Sequence, residues 1–289
     1  MPPSTGSLPP KEAAIAVLQT GLEHLSEDQV TTFIKNVYGA LLLSSGGLFS
    51  ILLGGGVQDL SPDNAGVERL LHGVAFPFGL VLVYLVGAEL FTGYPMWHTI
   101  LALERRGRPL DYVKGAIASW LGNLAGALIF ASLFTTVTEA LEESPWHHSI
   151  VEQIETDIIN PAWHVLFVRA IACGWLVTMA MFLGTQNQDG ISKLLFLHFP
   201  FMISATARFP HTVEYMYLSS VGMMLGSPLS VGGFLWKCLL PLTLGNIVGG
   251  GFFTGAYLWF MYVRKASMKE KYGDDAFGDG EEAPLLNGH

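Results

Sequence analysis

Charge is scarce in this chain. Of its 289 residues only 13% are Asp, Glu, Lys or Arg, about half of the roughly 25% usual in soluble domains. With 51% hydrophobic residues and a mean hydropathy of +0.42, that shortage excludes an ordinary soluble domain. Positive charge is scarcer still, 15 Lys and Arg against 24 Asp and Glu, for a net −9; a nucleic-acid partner is not expected. The two cysteines, Cys173 and Cys238, both fall in apolar stretches and give neither a disulfide framework nor a metal spacing. No nucleophile–base pair, ligand cluster or phosphate-binding glycine loop is recognisable, so neither an enzyme nor a bound cofactor or metal is expected. The opening MPPSTGSLPPKEAA has no basic stretch leading into an apolar one, so a cleavable signal peptide is not expected.

What the chain does have is long apolar runs, which make it an integral multi-pass membrane protein. They extend over about 31–54, 67–103, 112–137, 162–183, 192–225 and 235–263. The second and fifth are about 35 residues long, past the 17–25 that cross a bilayer as one helix but too short for two helices and a turn. Each therefore reads as one crossing with a nonhelical section, which is tolerated at membrane depth only where it is buried in protein or lines a polar cavity. Basic residues cluster in ERRGRPLDYVK (104–114) and after 263, whereas 139–157 carries acids only. The positive-inside rule then places both termini and the ERRGR loop in the cytoplasm, with which six crossings are consistent.

The chain also repeats itself. LGNLAGAL at 121–128 returns as LGNIVGGG at 244–251, each with a small-xxx-small pair, Gly122/Gly126 and Gly245/Gly249, that lets helices approach closely. The expected fold is all-α: two inverted three-span repeats with spans two and five discontinuous, the pattern that points to a transport site near the midplane. The domain reading is a cytoplasmic segment 1–28 with an amphipathic helix, a six-span channel domain 29–265, and a disordered acidic tail 266–289.

The fifth run is interrupted by SATARFPHTVEY (204–215) and the second by GAELFTG (87–93). That heptad, with FPFM at 199–202, Phe209-Pro210-His211-Thr212 and LTLGNIVGG, resembles the formate/nitrite transporter family over roughly residues 15–265. The resemblance implies an aquaporin-like protomer in a homopentamer, one pore per protomer, passing small monovalent anions or their acids (formate, nitrite, acetate, lactate) with protons. It places Leu90, Phe91 and Thr92 at the inner constriction, Phe76 and Leu80 at the outer one, His211 with Phe209 and Thr212 at the pore centre, and Asn246 as the family's asparagine in span six. Several positions depart from the pattern. The family's Gly-Phe-Glu-His is Arg208-Phe209-Pro210-His211 here, its vestibule lysine falls on Ile158, its span-four asparagine on Gly174, and its third outer aromatic on Ser204.

The chemistry expected of these residues is simple. A hydrocarbon constriction bars a bare anion, a histidine can share a proton near neutrality, and broken-helix termini favour negative charge. Arg208 either stands in for the missing lysine or pairs with Glu214 or Glu89. Two alternatives to a proton-linked anion pore are a pore for neutral solutes or undissociated acids, and a non-transporting scaffold or sensor. Asn160-Pro161-Ala162 reads as a helix start, with Asn160 as cap, rather than an aquaporin triplet. His147-His148 reads as solvated loop. The expected location is the plasma membrane; Glu281 before Leu285-Leu286 also fits an acidic dileucine sorting pattern of a eukaryotic endosomal or vacuolar route.

Overall fold

The computed structural model describes residues 6–57 and 65–267; the tail with Glu281, Leu285 and Leu286 lies outside them. Every extended element among the described residues is a helix, with one isolated bridge between Ser7 and Asn187. Most of the helices start where the sequence supplies caps or early prolines. α1 is Pro10–Ser26. α2, Gln29–Gly55, is capped by Asp28, whose carboxylate accepts from the Val30 and Thr31 backbone N–H at 3.0 Å each. α3 (Ala65–Ala75) and α4 (Pro77–Val86) form one apolar run with a hitch at Phe76. It stops at Gly87, whose φ of +71° suits a residue without Cβ. After a short turn at Phe91–Gly93 comes α5, Tyr94–Leu103.

α6 (Pro109–Thr136) precedes α7 (Trp146–Ile154), and α8 (Trp163–Gln186) leads to α9 (Gly190–Thr206). α9 breaks at 207–211, α10 is Thr212–Met224, and α11 runs continuously over Val231–Ser267. Among the described residues five runs are long and apolar enough to cross a bilayer, and Gly190–Thr206 is apolar but 17 residues long. Six crossings were expected; the fifth segment is divided into α9 and α10, and neither half reaches span length alone. The outside is oily, with Trp236 and Phe252 both 68% exposed, as a lipid-facing surface requires. Asn160 does not cap α8: the helix starts at Trp163 without a side-chain cap, and the Asn160 N–H closes a π-turn onto the Glu155 carbonyl. His147 and His148 lie on α7, not in a loop.

The glycines of the two Leu-Gly-Asn stretches serve close helix packing. Gly122 and Gly126 of α6 sit against Phe33 and Val37 of α2, and Gly245 and Gly249 of α11 sit against Phe167 and Ile171 of α8; a Cβ at any of the four would run into those carbonyls. The long halves of the broken segments, α3–α4 and α9, pack on each other. The short halves are displaced, α5 onto α11 and α1, α10 onto α6, α2 and α7. α1 is docked on the helical body rather than lying free, burying Ala13, Ala14 and Val17 against α5, α8 and the end of α11.

Candidate functional site

The two breaks are held by the two asparagines of the repeated Leu-Gly-Asn. At the first, Asn123 Oδ1 accepts from the Phe91 N–H at 2.7 Å, while its Nδ2 donates to the Asn36 carbonyl at 2.7 Å and the Glu89 carbonyl at 3.4 Å. At the second, Asn246 Oδ1 accepts from the Thr212 N–H and hydroxyl, both at 2.8 Å, and its Nδ2 donates to the carbonyls of Ala170 (2.8 Å) and Pro210 (3.4 Å). A broken helix leaves backbone donors and acceptors that hydrocarbon cannot satisfy. One fully buried amide at each break satisfies them. Glu89 and Pro210 occupy matching places, as do Phe91 and Thr212.

Where the breaks meet, Thr92 Oγ1 and His211 Nε2 are 2.8 Å apart, both fully buried. His211 is also the N-cap of α10, its Nδ1 accepting from the Glu214 N–H at 3.2 Å. With Nδ1 serving as acceptor, the ring proton of a neutral imidazole is assigned to Nε2 and directed at Thr92. α5 and α10 both begin at this meeting point, so two positive helix ends flank it. On one side the histidine ring touches Phe201, centroids 5.3 Å apart, and Phe201 touches Phe76 at 4.8 Å. Leu80, Leu90 and Phe91 are buried in the same apolar cluster.

Of the residues expected at the site, Thr92 and His211 form one hydrogen-bonded pair and Thr212 and Asn246 another, adjacent through the chain at His211–Thr212, and Phe76 reaches His211 through Phe201. Phe201 was not expected there; it sits inside the FPFM motif, and only the packing of α9 on α4 brings it between Phe76 and His211. The missing span-four asparagine has a steric explanation. A Cβ at Gly174 would stand 2.5 Å from the Asn246 carbonyl oxygen, so α8 approaches α11 too closely there for a side chain. Ile158 is fully buried and offers no charge.

Arg208 lies apart from His211, and its partners are neither Glu214 nor Glu89. Its guanidinium bonds Asp157 at 3.1 Å and Glu68 at 3.3 Å, because the turn at 207–208 aims the side chain toward α3 and the segment after α7. A φ of +54° at Arg208 is left-handed backbone, which costs a residue with a Cβ about 1–2 kcal/mol. Tyr215 donates to the other Asp157 oxygen at 2.9 Å. A small cavity of about 20 Å³ opens here, lined by Arg208, Phe209, Phe76, His72, Asp157 and Glu214 among others.

At the opposite end Glu89, 4% exposed, is the hub of a second polar cluster. Its carboxylate meets His24 Nδ1 and Lys35 Nζ, both at 3.1 Å, and accepts from the Tyr94 hydroxyl at 2.5 Å. His24 in turn packs on Trp97, centroids 4.2 Å apart. His24, Glu27 and Glu89 bring ligand atoms within 4.8 Å of one another, but the Lys35 ammonium bonds both carboxylates and is itself the cation of the group.

Comparison with known proteins follows this geometry. The sequence model described as formate/nitrite transporter matches residues 11–260. A probable formate transporter of Methanothermobacter thermautotrophicus is 31% identical, over 82% of this chain and 89% of that protein. The formate channel FocA of Escherichia coli is 24% identical, over 89% of this chain and 95% of its own length. Among solved structures, a channel of the same group superposes with a TM-score of 0.77 at 22% identity, covering 86% of this chain and 98% of that one. A pentameric formate channel with formate bound gives 0.70 at 24%, covering 81% and 98%. At those identities the superpositions speak for the fold.

Proposed function

Because this chain belongs to the formate/nitrite transporter family, a family of membrane transporters and channels rather than enzymes, we propose that it is a homopentameric pore for small monovalent anions or their acids, of the formate, nitrite, acetate and lactate class, with passage linked to protons through His211. The observation that carries the reading is the buried Thr92–His211 contact at the junction of two broken helices. Phe76, Leu80, Leu90, Phe91 and Phe201 form an apolar collar that excludes water and large solutes. Within it the donors a small anion would meet are the Nε2–H of His211, the hydroxyl of Thr92, and the positive ends of α5 and α10, while the Thr212 hydroxyl is turned onto Asn246. Asn123 and Asn246 position the breaks. Protonating His211 at Nδ1 means giving up the cap on Glu214, so proton uptake by the ring is coupled to a local change at the start of α10. The proposed setting is the plasma membrane with both termini inside, the tail's dileucine serving endosomal or vacuolar sorting.

A second reading, a pore for neutral solutes or undissociated acids, is favoured by one observation: the lysine position is a buried Ile158 and Arg208 is already claimed by two carboxylates. Proteoliposome assays separate the two. Labelled formate, nitrite, acetate and lactate uptake is compared with swelling in urea and glycerol. Saturable uptake of at least one of the acids without urea or glycerol flux is the expected result; swelling in the neutral solutes with no acid uptake would replace the first reading by the second.

A further inference from the structure

Arg208 presents a physical oddity. The backbone accepts a left-handed residue with a side chain, φ +54°, in a turn where glycine would sit without strain. The result of that strain is a guanidinium placed at the wall of the cavity beside Phe76, the outer member of the aromatic column that ends on His211. Two carboxylates occupy it, Asp157 and Glu68.

The surroundings are those of a ligand site rather than of a closed ion pair. His72 is 9% exposed, lines the same cavity, and its Nε2 has no hydrogen-bond partner; Glu68 Oε1 stands 3.9 Å away. The Gln153 side-chain oxygen lining the cavity is likewise without a partner; being an acceptor, it suits a water beside the carboxylate rather than the carboxylate itself. Buried polar atoms left open in this way call for an unshown partner. The cavity's 20 Å³ accommodates about one water, so a carboxylate can enter only by taking the place of one of those already on Arg208.

We propose that Arg208 is a proton-released docking cation for a small carboxylate at the outer mouth: while Asp157 and Glu68 are ionised they hold the guanidinium, and when they are protonated a substrate carboxylate takes their place, with His72 Nε2–H as its second donor. This deepens the transport reading above and rests on it for the choice of ligand. Glu68, Arg69 and His72 face the guanidinium from α3, and Glu214 and Tyr215 from α10. Asp157 faces it from the segment after α7, and the charges of Glu152 and of Arg169 on α8 act on Glu68 and Asp157 respectively. Burial raises the Asp157 carboxyl above its ordinary value despite Arg208 beside it, so it gains its proton earlier than a solvated aspartate would as pH falls, and the guanidinium is freed in that direction. Once freed, it offers a planar fork suited to a carboxylate.

The test is calorimetric titration of the purified, detergent-solubilised protein with sodium formate at pH 7.5 and pH 5.5, alongside flux. The wild type should bind about tenfold or more tightly at pH 5.5. Asp157→Asn/Glu68→Gln, with both competing charges permanently removed, should bind at pH 7.5 as tightly as the wild type does at 5.5. Arg208→Gly, which suits the left-handed backbone, should bind weakly at both, and Arg208→Asn serves as a second variant tolerant of that conformation. A double variant that keeps the wild-type pH dependence, or an Arg208→Gly protein that binds like wild type, overturns the proposal. So does a wild type that transports formate with no change of affinity between the two pH values. Formate binding with the predicted pH dependence but no flux of any acid would leave the docking site standing and remove the transport reading instead.

Discussion

Asn123 and Asn246 each satisfy a broken helix with one side chain, accepting from a backbone N–H of the break and donating to one carbonyl of the break and one of a neighbouring helix. Leucine is of similar size and offers none of this. Replacing Asn246 by Leu leaves the Thr212 N–H and the Ala170 and Pro210 carbonyls to the apolar interior, at a cost of about 3 kcal/mol or more. Thermal unfolding in detergent should show a clear drop for Asn246→Leu, and Asn123→Leu should show a drop of similar size. A large loss at one break with none at the other would mean that the two are not equivalent. The Leu-Gly-Asn repeat made these two residues legible in the sequence, because the same chemical need recurs with the same three letters. Arg208 was legible as an anomaly but its partners were not: Asp157 and Glu68 are 51 and 140 positions away, and no local pattern encodes which distant acid a turn will face.

α1 is tied down by side chains that belong to the first break. His24 contacts Glu89, which Lys35 and Tyr94 also hold, so the helix over one end of the bundle and the loop leading to Thr92 share one polar hub. The α1 amphipathic pattern announced a helix with one apolar face but not its seat, since docking on protein and lying on lipid ask for the same periodicity. Removing the His24 ring deletes a charge-assisted contact and its packing on Trp97, together about 1.5–3 kcal/mol. Amide exchange in α1 should therefore accelerate about 10–100-fold in His24→Ala, with the exchange of α6 and α8 unchanged. Unchanged α1 protection would show that the apolar seat alone holds it. At the start of α2, the Thr31 hydroxyl and backbone N–H hold the Asp28 carboxyl below its ordinary range. Its folded value being the lower one, the stabilisation it lends is complete above the unfolded value and is lost as pH falls through the folded one. Asp28→Asn keeps the cap and should remove that acid-side loss from the stability profile between pH 2 and 5.

For the molecule as a whole, composition announced the membrane and the two long interrupted runs announced the breaks, because an apolar run too long for one crossing and too short for two has few physical solutions. The expectation of an all-helical fold of the formate/nitrite transporter kind holds. What the sequence could not convey was the lateral displacement of the half-helices. It brings Thr92 against His211 and inserts Phe201 between Phe76 and the histidine, contacts fixed only by the packing of one repeat on the other. The proposal that passage runs through this junction has a direct test. Asparagine at 211 can still cap α10, accepting from Glu214 in place of Nδ1, so His211→Asn removes the imidazole while keeping the helix start. Uptake of labelled formate into proteoliposomes is measured from pH 5 to 8 for both proteins, each reconstituted in the same oligomeric state. Wild-type uptake that rises toward pH 5 and loses both its rate and its pH dependence in His211→Asn is the predicted result. Uptake in His211→Asn that matches wild type across the range would contradict it and move the path away from the meeting point of the two breaks.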